Sequence, residues 1–186
     1  MRIITGIAGG LRLEVPKTLA RPTTDRVREA IFSSLGDRVI GAKVLDLFAG
    51  SGALGLEALS RGAASADLIE ADSKTCDVIR RNLDTTHLSG GRVRRERVES
   101  FLSRPAPEIG YDLIFADPPY ARDAETSELI SDFLSHPALP SFLAEEGLLL
   151  VESFAQRDLP ASESLERIRS KQYGQSQVSV FSRLNS

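Results

Sequence analysis

The stretch IFADPPY, at residues 114–120, predicts a buried strand that ends on a carboxylate. Neither proline can donate to a β-ladder and each has φ fixed near −65°, so the strand must stop there. Such a turn leaves backbone carbonyls free and holds Asp117 and Tyr120 at the carboxyl end of a strand, where open α/β sheets bind ligands. An ordinary strand exit also uses Asp-Pro, so the rest of the chain must decide between these interpretations.

Strands and helices alternate on both sides of this stretch. Apolar runs and turn residues predict strands at 43–48, 66–70, 92–98, 111–116, 147–151, 165–173 and 177–183. Helical spacing predicts helices from Thr23 or Thr24 to about Leu35, then at 53–60, 73–87 (capped by Ser73) and 121–135. The alternation predicts an α/β fold with a doubly wound, mostly parallel sheet, and Gly174 indicates a terminal antiparallel hairpin.

The N-terminal segment, residues 1–28, differs from the rest in charge. It holds six basic and two acidic side chains, a net of +4, on a chain whose total is −3. Two short strands at 2–7 and 11–15 predict a hairpin that stands apart as an appendage, which divides the chain into 1–22 and 23–186. The charge favours contact with something anionic, although a solvated surface also explains so small an excess.

The bulk composition is that of a soluble globular protein. The 186 residues suffice for one domain with a small appendage, and the single cysteine, Cys76, is typical of a reducing cytosol. No apolar run reaches membrane-spanning length and the first residues lack a signal-peptide core, so we expect a cytoplasmic protein. His87 and His136 have no ligand spacing, and we expect no metal.

A glycine-rich turn, DLFAGSG at 46–52, follows the first core strand. Glycines there let a ligand approach the backbone, and the next helix offers free N–H groups. Gly55 completes a Gly-x-Gly-x-x-Gly pattern, which leaves a nicotinamide-dependent oxidoreductase open, although the acidic Asp46 within the strand argues against it. Glu70 ends the second strand, where a carboxylate can accept hydrogen bonds from a ribose diol of either NAD or S-adenosylmethionine.

Two of these motifs together resemble known families. DLFAGSG is similar to the first motif of class I S-adenosylmethionine-dependent methyltransferases, and the Asp-Pro-Pro-Tyr at 117–120 resembles the fourth motif of those that methylate exocyclic or planar nitrogens. The basic hairpin and the stretch RPTTDRVREA at 21–30 resemble the RsmD-type small-subunit rRNA guanine-N2 methyltransferases, and the similarity covers nearly the whole chain. The resemblance implies their Rossmann-like seven-stranded methyltransferase sheet, S-adenosyl-L-methionine as cofactor, and a guanine of 16S rRNA as substrate.

The resemblance also implies roles for individual residues. Cofactor binding falls to Asp46, Phe48, Gly50, Gly52, Glu70 and Glu99, catalysis to Asp117, Pro118, Pro119 and Tyr120, and RNA binding to Arg12, Lys17, Arg21, Arg26 and Arg28. Many such enzymes hold the adenine amino group with an aspartate after the third strand. Here Glu99 stands in that region, so it or a backbone group would replace the aspartate. Arg28 has a second interpretation, as an inward-facing structural residue.

The expected chemistry centres on the amino group of the base. The Asp117 carboxylate and the Pro118 carbonyl would accept its hydrogens, and Tyr120 would stack on an extruded base. A DNA adenine-N6 methyltransferase is the nearest alternative, and a non-catalytic RNA-binding module is another. The expected partner is 16S rRNA, naked or within an assembling 30S subunit; no membrane partner is expected, and a monomer is favoured.

Overall fold

A computed structural model of the chain describes residues 1–17, 23–118, 124–155 and 159–184, with the backbone alone at 124–128. Within these ranges seven strands form one sheet. The strands are β1 (Lys43–Leu47), β2 (Ser65–Glu70), β3 (Gly91–Arg95), β4 (Tyr111–Ala116), β5 (Leu143–Phe154), β6 (Leu165–Tyr173) and β7 (Ser176–Arg183). The helices are α1 (Asp25–Leu35), α2 (Ala53–Ser60), α3 (Ser73–Thr86), α4 (Val98–Leu102), α5 (Ala124–Leu134) and α6 (Leu139–Phe142).

The strand order explains where a ligand can bind. The order is β3-β2-β1-β4-β5-β7-β6, with parallel pairing from β3 to β5 and antiparallel pairing of β7 with both neighbours. The chain winds outward from β1 to β3 and then crosses to β4, so the direction of winding reverses between β1 and β4. Ligands bind beside such a switch point. The predicted α/β sheet with a terminal antiparallel hairpin is confirmed.

Helices cover both faces of the sheet and bury two apolar layers. On one face α1, α2 and α3 pack on the sheet, and the rings of Phe32 in α1 and Phe115 in β4 lie 5.5 Å apart. On the other face α4, α5 and α6 pack, with the rings of Phe101 and Phe142 5.4 Å apart. Burial on both faces accounts for the near-continuous apolar runs of the central strands. None of the helices in the described ranges is long and apolar enough to cross a membrane.

The helix ends follow their capping residues. The Thr24 side chain accepts a hydrogen bond from the Val27 N–H and begins α1, and Gly36, with φ of 54°, ends it. At α3 the predicted cap was wrong, because the Asp72 side chain accepts from the Thr75 N–H and Ser73 is already helical. A carboxylate is the stronger acceptor for these free N–H groups.

The N-terminal segment forms a shorter hairpin than predicted. A single antiparallel bridge joins Arg2 to Arg12, so the prediction of two strands at 2–7 and 11–15 was wrong. The apolar residues that suggested strands are instead buried in the main core: Ile3 and Leu13 belong to the same cluster as α1, α2 and α3. The hairpin is therefore packed onto the sheet domain, and the proposed boundary after residue 22 stays a prediction.

The predicted ends of two strands differ from the observed ones. The predicted third strand ends early, at Arg95, because Val98 begins the short helix α4 and turns its side chain into the second apolar layer. Strand β5 is longer than expected and reaches Phe154, since β7 pairs with its last residues. The extension past Val151 brings Glu152 and Ser153 into the sheet.

Candidate active site

Three carboxylates mark the carboxyl ends of three adjacent strands. Asp46 lies near the end of β1, Glu70 ends β2, and Asp117 directly follows β4. The register pairs Leu47 with Ala116, so Asp46 and Asp117 lie on the two sides of the switch point. The fold therefore brings the glycine turn, Glu70 and the predicted catalytic aspartate to one edge of the sheet.

The turn after β1 is held in a left-handed conformation. Phe48, Gly50 and Gly52 have φ of 59°, 54° and 77°. For glycine this conformation carries no steric cost, but for phenylalanine it is an outlier of the kind that collects at binding sites. The Phe48 ring packs edge-on against Phe133, 5.9 Å between centroids. The turn thus presents its backbone to the site while one aromatic ring anchors it.

Asp46 is a buried acid with a specific backbone partner. Its Oδ2 accepts a 2.8 Å hydrogen bond from the N–H of Gly55, in the first turn of α2. Burial raises the pKa of Asp46 to about 7; the Gly55 hydrogen bond opposes this shift and the nearby charge of Glu70 adds to it. A Cβ on Gly55 would lie 2.9 Å from Leu68 Cδ2, so the third glycine allows the close packing of α2 on β2.

Glu70 joins the two loops that would flank a bound ribose. Its Oε2 accepts from the Gly50 N–H at 3.1 Å, and its Oε1 accepts from the Asp72 N–H at 2.9 Å. The carboxylate therefore reaches from the end of β2 to the glycine turn. A ribose diol would therefore bind to a carboxylate whose orientation is already fixed by these two hydrogen bonds.

An apolar groove beside the glycine turn could hold a flat ring. The groove has a volume of about 290 Å³, and Phe48, Val98, Glu99, Leu102 and Phe133 are among its lining residues. Glu99 lies in the first turn of α4, exposed, with its carboxylate 3.6 Å from the Arg97 guanidinium. Its position at the rim agrees with the predicted contact to an adenine amino group, which stays a prediction.

The part of the edge that holds the predicted catalytic residues centres on Asp117. Its Oδ2 accepts a short hydrogen bond from the Thr23 hydroxyl, two residues before α1 begins. Thr23 and Pro118 are both buried. The other two predicted catalytic residues, Pro119 and Tyr120, lie outside the described residues. Sequence reasoning treated Thr23 only as a possible helix cap, because a contact across 94 residues leaves no local pattern.

The predicted RNA-binding residues separate into two groups. Arg12, Lys17 and Arg26 are exposed, whereas Arg21 lies outside the described residues. Arg28 is fully buried, and its Nη2 donates to the Arg2 carbonyl at 2.6 Å and to Asp25 at 2.7 Å. Arg28 therefore belongs to no basic surface in this structure, and its burial favours the structural interpretation over the predicted contact with RNA.

The N-terminal segment also braces the cofactor side. The N–H groups of Ile4 and Thr5 donate to the buried carboxylate of Glu57 in α2, at 2.7 and 3.0 Å. Asn82 of α3 donates to the Ser51 carbonyl in the glycine turn and to the Glu14 carbonyl. One segment thus touches both sides of the site. None of these supporting residues was predicted, since polar residues on helices usually face solvent.

The fold and this edge of acids and glycines define a class: a Rossmann-like methyltransferase of the class I type. The family model described as "Conserved hypothetical protein 95" matches residues 1–182. The chain therefore belongs to this family, the RsmD type of methyltransferase.

Individual relatives are similar in sequence to this chain over most of its length. The chain is 42% identical over 163 residues to "Ribosomal RNA small subunit methyltransferase D" of Escherichia coli, covering 86% of this chain and 78% of that protein. The protein of the same name from Haemophilus influenzae is 32% identical over 177 residues, covering 94% and 89%.

Solved structures give the same result. The yhhF protein of Escherichia coli superposes with a TM-score of 0.81 at 38% identity, covering 100% of this chain and 99% of that one. The structure of SMU.776, described as "a putative methyltransferase complexed with SAH", superposes with a TM-score of 0.64 at 16% identity, covering 82% of this chain and 48% of that one. At this identity the similarity is one of fold alone.

Proposed function

We propose that this protein transfers a methyl group from S-adenosyl-L-methionine to the exocyclic N2 of a guanine in 16S rRNA. The observation that carries the proposal is the shared edge: Asp117, directly after β4, lies at the same edge of the sheet as the glycine turn and Glu70, and it accepts a hydrogen bond from Thr23 in the N-terminal segment. The names of the full-length relatives support the small-subunit rRNA as substrate. The same relatives leave the nicotinamide-dependent alternative without support.

The cofactor side fits an adenosine with a charged tail. Glu70 would accept hydrogen bonds from the ribose diol, the groove beside Phe48 and Glu99 would take the adenine, and Gly50 and Gly52 let the backbone approach without a Cβ. The bound cofactor supplies an electrophilic methyl group on a sulfonium. The residues themselves supply orientation, since the reacting atoms must be held in line for transfer.

The acceptor side addresses the poor nucleophilicity of an aromatic amine. The lone pair of guanine N2 is delocalised into the ring until the nitrogen becomes tetrahedral. Asp117 and the Pro118 carbonyl would accept the two amine hydrogens and so favour that geometry in the transition state. Thr23 orients the Asp117 carboxylate through one of its oxygens. The proton released from N2 would pass to the Asp117 carboxylate or to solvent.

The basic surface supports an anionic polymer as substrate. Arg2 lies within 3.4 Å of Asp25, next to Thr23 and Thr24, and forms the bridge to the exposed Arg12. The exposed cations Arg2 and Arg12 are therefore linked through Asp25 to the stretch that contains Thr23, the hydrogen-bond partner of Asp117. Cations in this position would hold phosphates on either side of an extruded base, which must leave its stack to reach Asp117.

The test is a methyl-transfer assay with three substrates, namely purified rRNA, assembled small subunits and duplex DNA, followed by mass-spectrometric mapping of the modified nucleotide. We expect N2-methylguanine at one position of the small-subunit rRNA. N6-methyladenine in duplex DNA would establish the alternative instead. RNA binding without transfer by a protein that binds S-adenosylmethionine would contradict the enzymatic proposal. Asp117→Ala serves as the inactive control.

A further inference from the structure

Glu152 is a buried acid that no part of the proposed reaction uses. It lies in β5 directly after Val151, whose register partner in β4 is Ala116, so Glu152 stands beside Asp117 on the neighbouring strand. Adjacent strands are about 4.8 Å apart. Glu152 pairs across the sheet with Val178, which belongs to the apolar layer under α1, and Thr23 bonds Asp117 from that same side. Both carboxylates therefore lie on one face of the sheet.

The Glu152 side chain is 4% exposed, and its buried Oε2 has no hydrogen-bond partner among the described residues. A buried carboxylate oxygen without a partner opposes folding, and native structures keep few of them. The buried guanidinium of Arg28, on α1, forms its ion pair with Asp25 through Nη2, and no ion pair joins it to Glu152 among the described residues. A donor that arrives with a substrate would compensate an acceptor at this position.

We propose that Glu152 reads the N1–H of the target guanine while Asp117 takes a hydrogen of its N2 amine, an inference that rests on the proposed function. The Watson–Crick edge of guanine presents N1–H and N2 as adjacent donors, and two carboxyl groups on neighbouring strands, when ionised, offer acceptors only. Adenine presents a lone pair at N1, which would face the Glu152 carboxylate. Glu152 is in this way the residue that selects guanine over purines without an N1 proton.

The test changes the N1 edge of the substrate. The target guanine is exchanged for 2-aminopurine, which keeps the N2 amine, has a lone pair at N1 and lacks O6, in rRNA ligated around a synthetic segment. The comparison with Glu152→Gln separates the N1 contact from the loss of O6. We expect wild-type kcat/KM to fall about 10- to 100-fold with this base, the size of a good hydrogen-bond discrimination. Equal rates on the two bases would overturn the assignment, and this measurement requires no variant to fold.

The matched variant is Glu152→Gln, which keeps the volume and can donate to a lone pair at N1. The amide oxygen of this variant can still accept the N1–H of guanine, and its NH2 can donate to N1 of 2-aminopurine. We therefore expect it to methylate the two bases at similar rates, so that the preference disappears. The control is Glu146→Gln, the same substitution at an exposed position of the same strand, with an unchanged preference. Loss of activity by Glu152→Gln with the wild-type preference intact would make Glu152 structural.

The possible outcomes distinguish a failure of the Glu152 assignment from a failure of the proposed guanine-N2 methylation. If the wild-type protein leaves guanine N2 unmethylated in every substrate, the proposed function fails. If it methylates guanine N2 but does not distinguish 2-aminopurine, only the role of Glu152 fails. Titration of S-adenosylmethionine into Glu152→Gln completes the set, because a reading role leaves cofactor affinity unchanged.

Discussion

The two halves of the site use carboxylates in opposite ways. On the cofactor side, Asp46 and Glu70 already accept backbone N–H groups from Gly55, Gly50 and Asp72. On the acceptor side, Asp117 is oriented by a side chain, that of Thr23, and the buried Oε2 of Glu152 is bonded to nothing in the described part of the chain. Asp46 and Glu70 therefore stabilise the loops around the glycine turn, whereas Asp117 and Glu152 lie where a substrate would arrive.

This difference indicates that the cofactor site is preorganised by the fold, whereas the site for the base would be completed by the substrate. A cofactor that binds in every cycle meets a rigid receptor, whose hydrogen bonds the fold supplies. Under the proposed function, a base extruded from RNA would meet an acceptor, Glu152, whose buried Oε2 finds a donor only when the base arrives, so that the favourable contact would be specific to the correct base. Substitutions should accordingly separate into those that affect the cofactor or the fold and those that affect the base.

The largest expected effect belongs to Asp117→Ala. Removing an acceptor that acts on the transition state should lower kcat by about 100- to 1000-fold, whereas S-adenosylmethionine affinity should stay within about twofold. Single-turnover kinetics and calorimetric titration measure the two quantities. Thr23→Val, which removes only the hydroxyl that orients Asp117, should give a smaller loss of kcat. Near wild-type turnover by Asp117→Ala would contradict its role.

Asp46 should give the fold a characteristic pH dependence. Its folded pKa of about 7 lies above the ordinary value of 3.8, so the folded state retains a proton that the unfolded chain releases. Stability should therefore fall as pH rises from about 4 to 7, by a few kcal/mol. Urea unfolding of Asp46→Asn should lack this contribution, whereas the exposed control Asp37→Asn should retain it. If the free energy of unfolding changes with pH in the same way for wild type and Asp46→Asn, the raised pKa of Asp46 is contradicted.

Glu70→Ala should weaken the cofactor without altering the choice of base. The loss of two charge-assisted hydrogen bonds from the loops, and of the expected ribose contact, should raise the Kd for S-adenosylmethionine about 10- to 100-fold. At saturating cofactor the discrimination between guanine and 2-aminopurine should stay at the wild-type value. Glu108→Ala, at an exposed site, is the control and should bind normally. A changed base preference in Glu70→Ala would remove the division between the two halves.

The smallest effect is expected at the basic surface. Charge reversal of Arg12, Lys17 and Arg26 should weaken RNA binding about tenfold and flatten its salt dependence, by nearly one unit of slope for each phosphate that is no longer neutralised. Filter binding across a salt series measures both. Cofactor affinity should not change. Unchanged RNA affinity would leave these cations as ordinary solvated surface.

The parts of the site that sequence could predict are those that local chemistry dictates. Prolines and glycines fix where β4 and β1 end, so the sequence alone places Asp117 and the glycine turn at strand ends. The alternation of strands and helices then puts them at the same edge of a parallel sheet.

The remaining parts depend on contacts between distant segments. Ile3 and Leu13 look like strand residues, but the core under α1 and α2 uses them to bury a hairpin with one bridge. Thr23 is recognised only when the fold brings it to Asp117. Glu152 lies just past the apolar run that predicts β5 to stop at residue 151, and its neighbour across the sheet follows from the strand order rather than from local sequence.

The bond between Thr23 and Asp117 also sets an order of assembly. The N-terminal segment is synthesised first, yet its partners follow at increasing separations: Glu57 is 53 residues after Ile4, Asn82 is 68 after Glu14, and Asp117 is 94 after Thr23. During translation the segment can dock on α2 and α3 before β4 has emerged. The glycine turn and Glu70 can therefore be assembled on the nascent chain, whereas Asp117 and the groove that Phe133 lines are completed only after β4 and α5 have been synthesised.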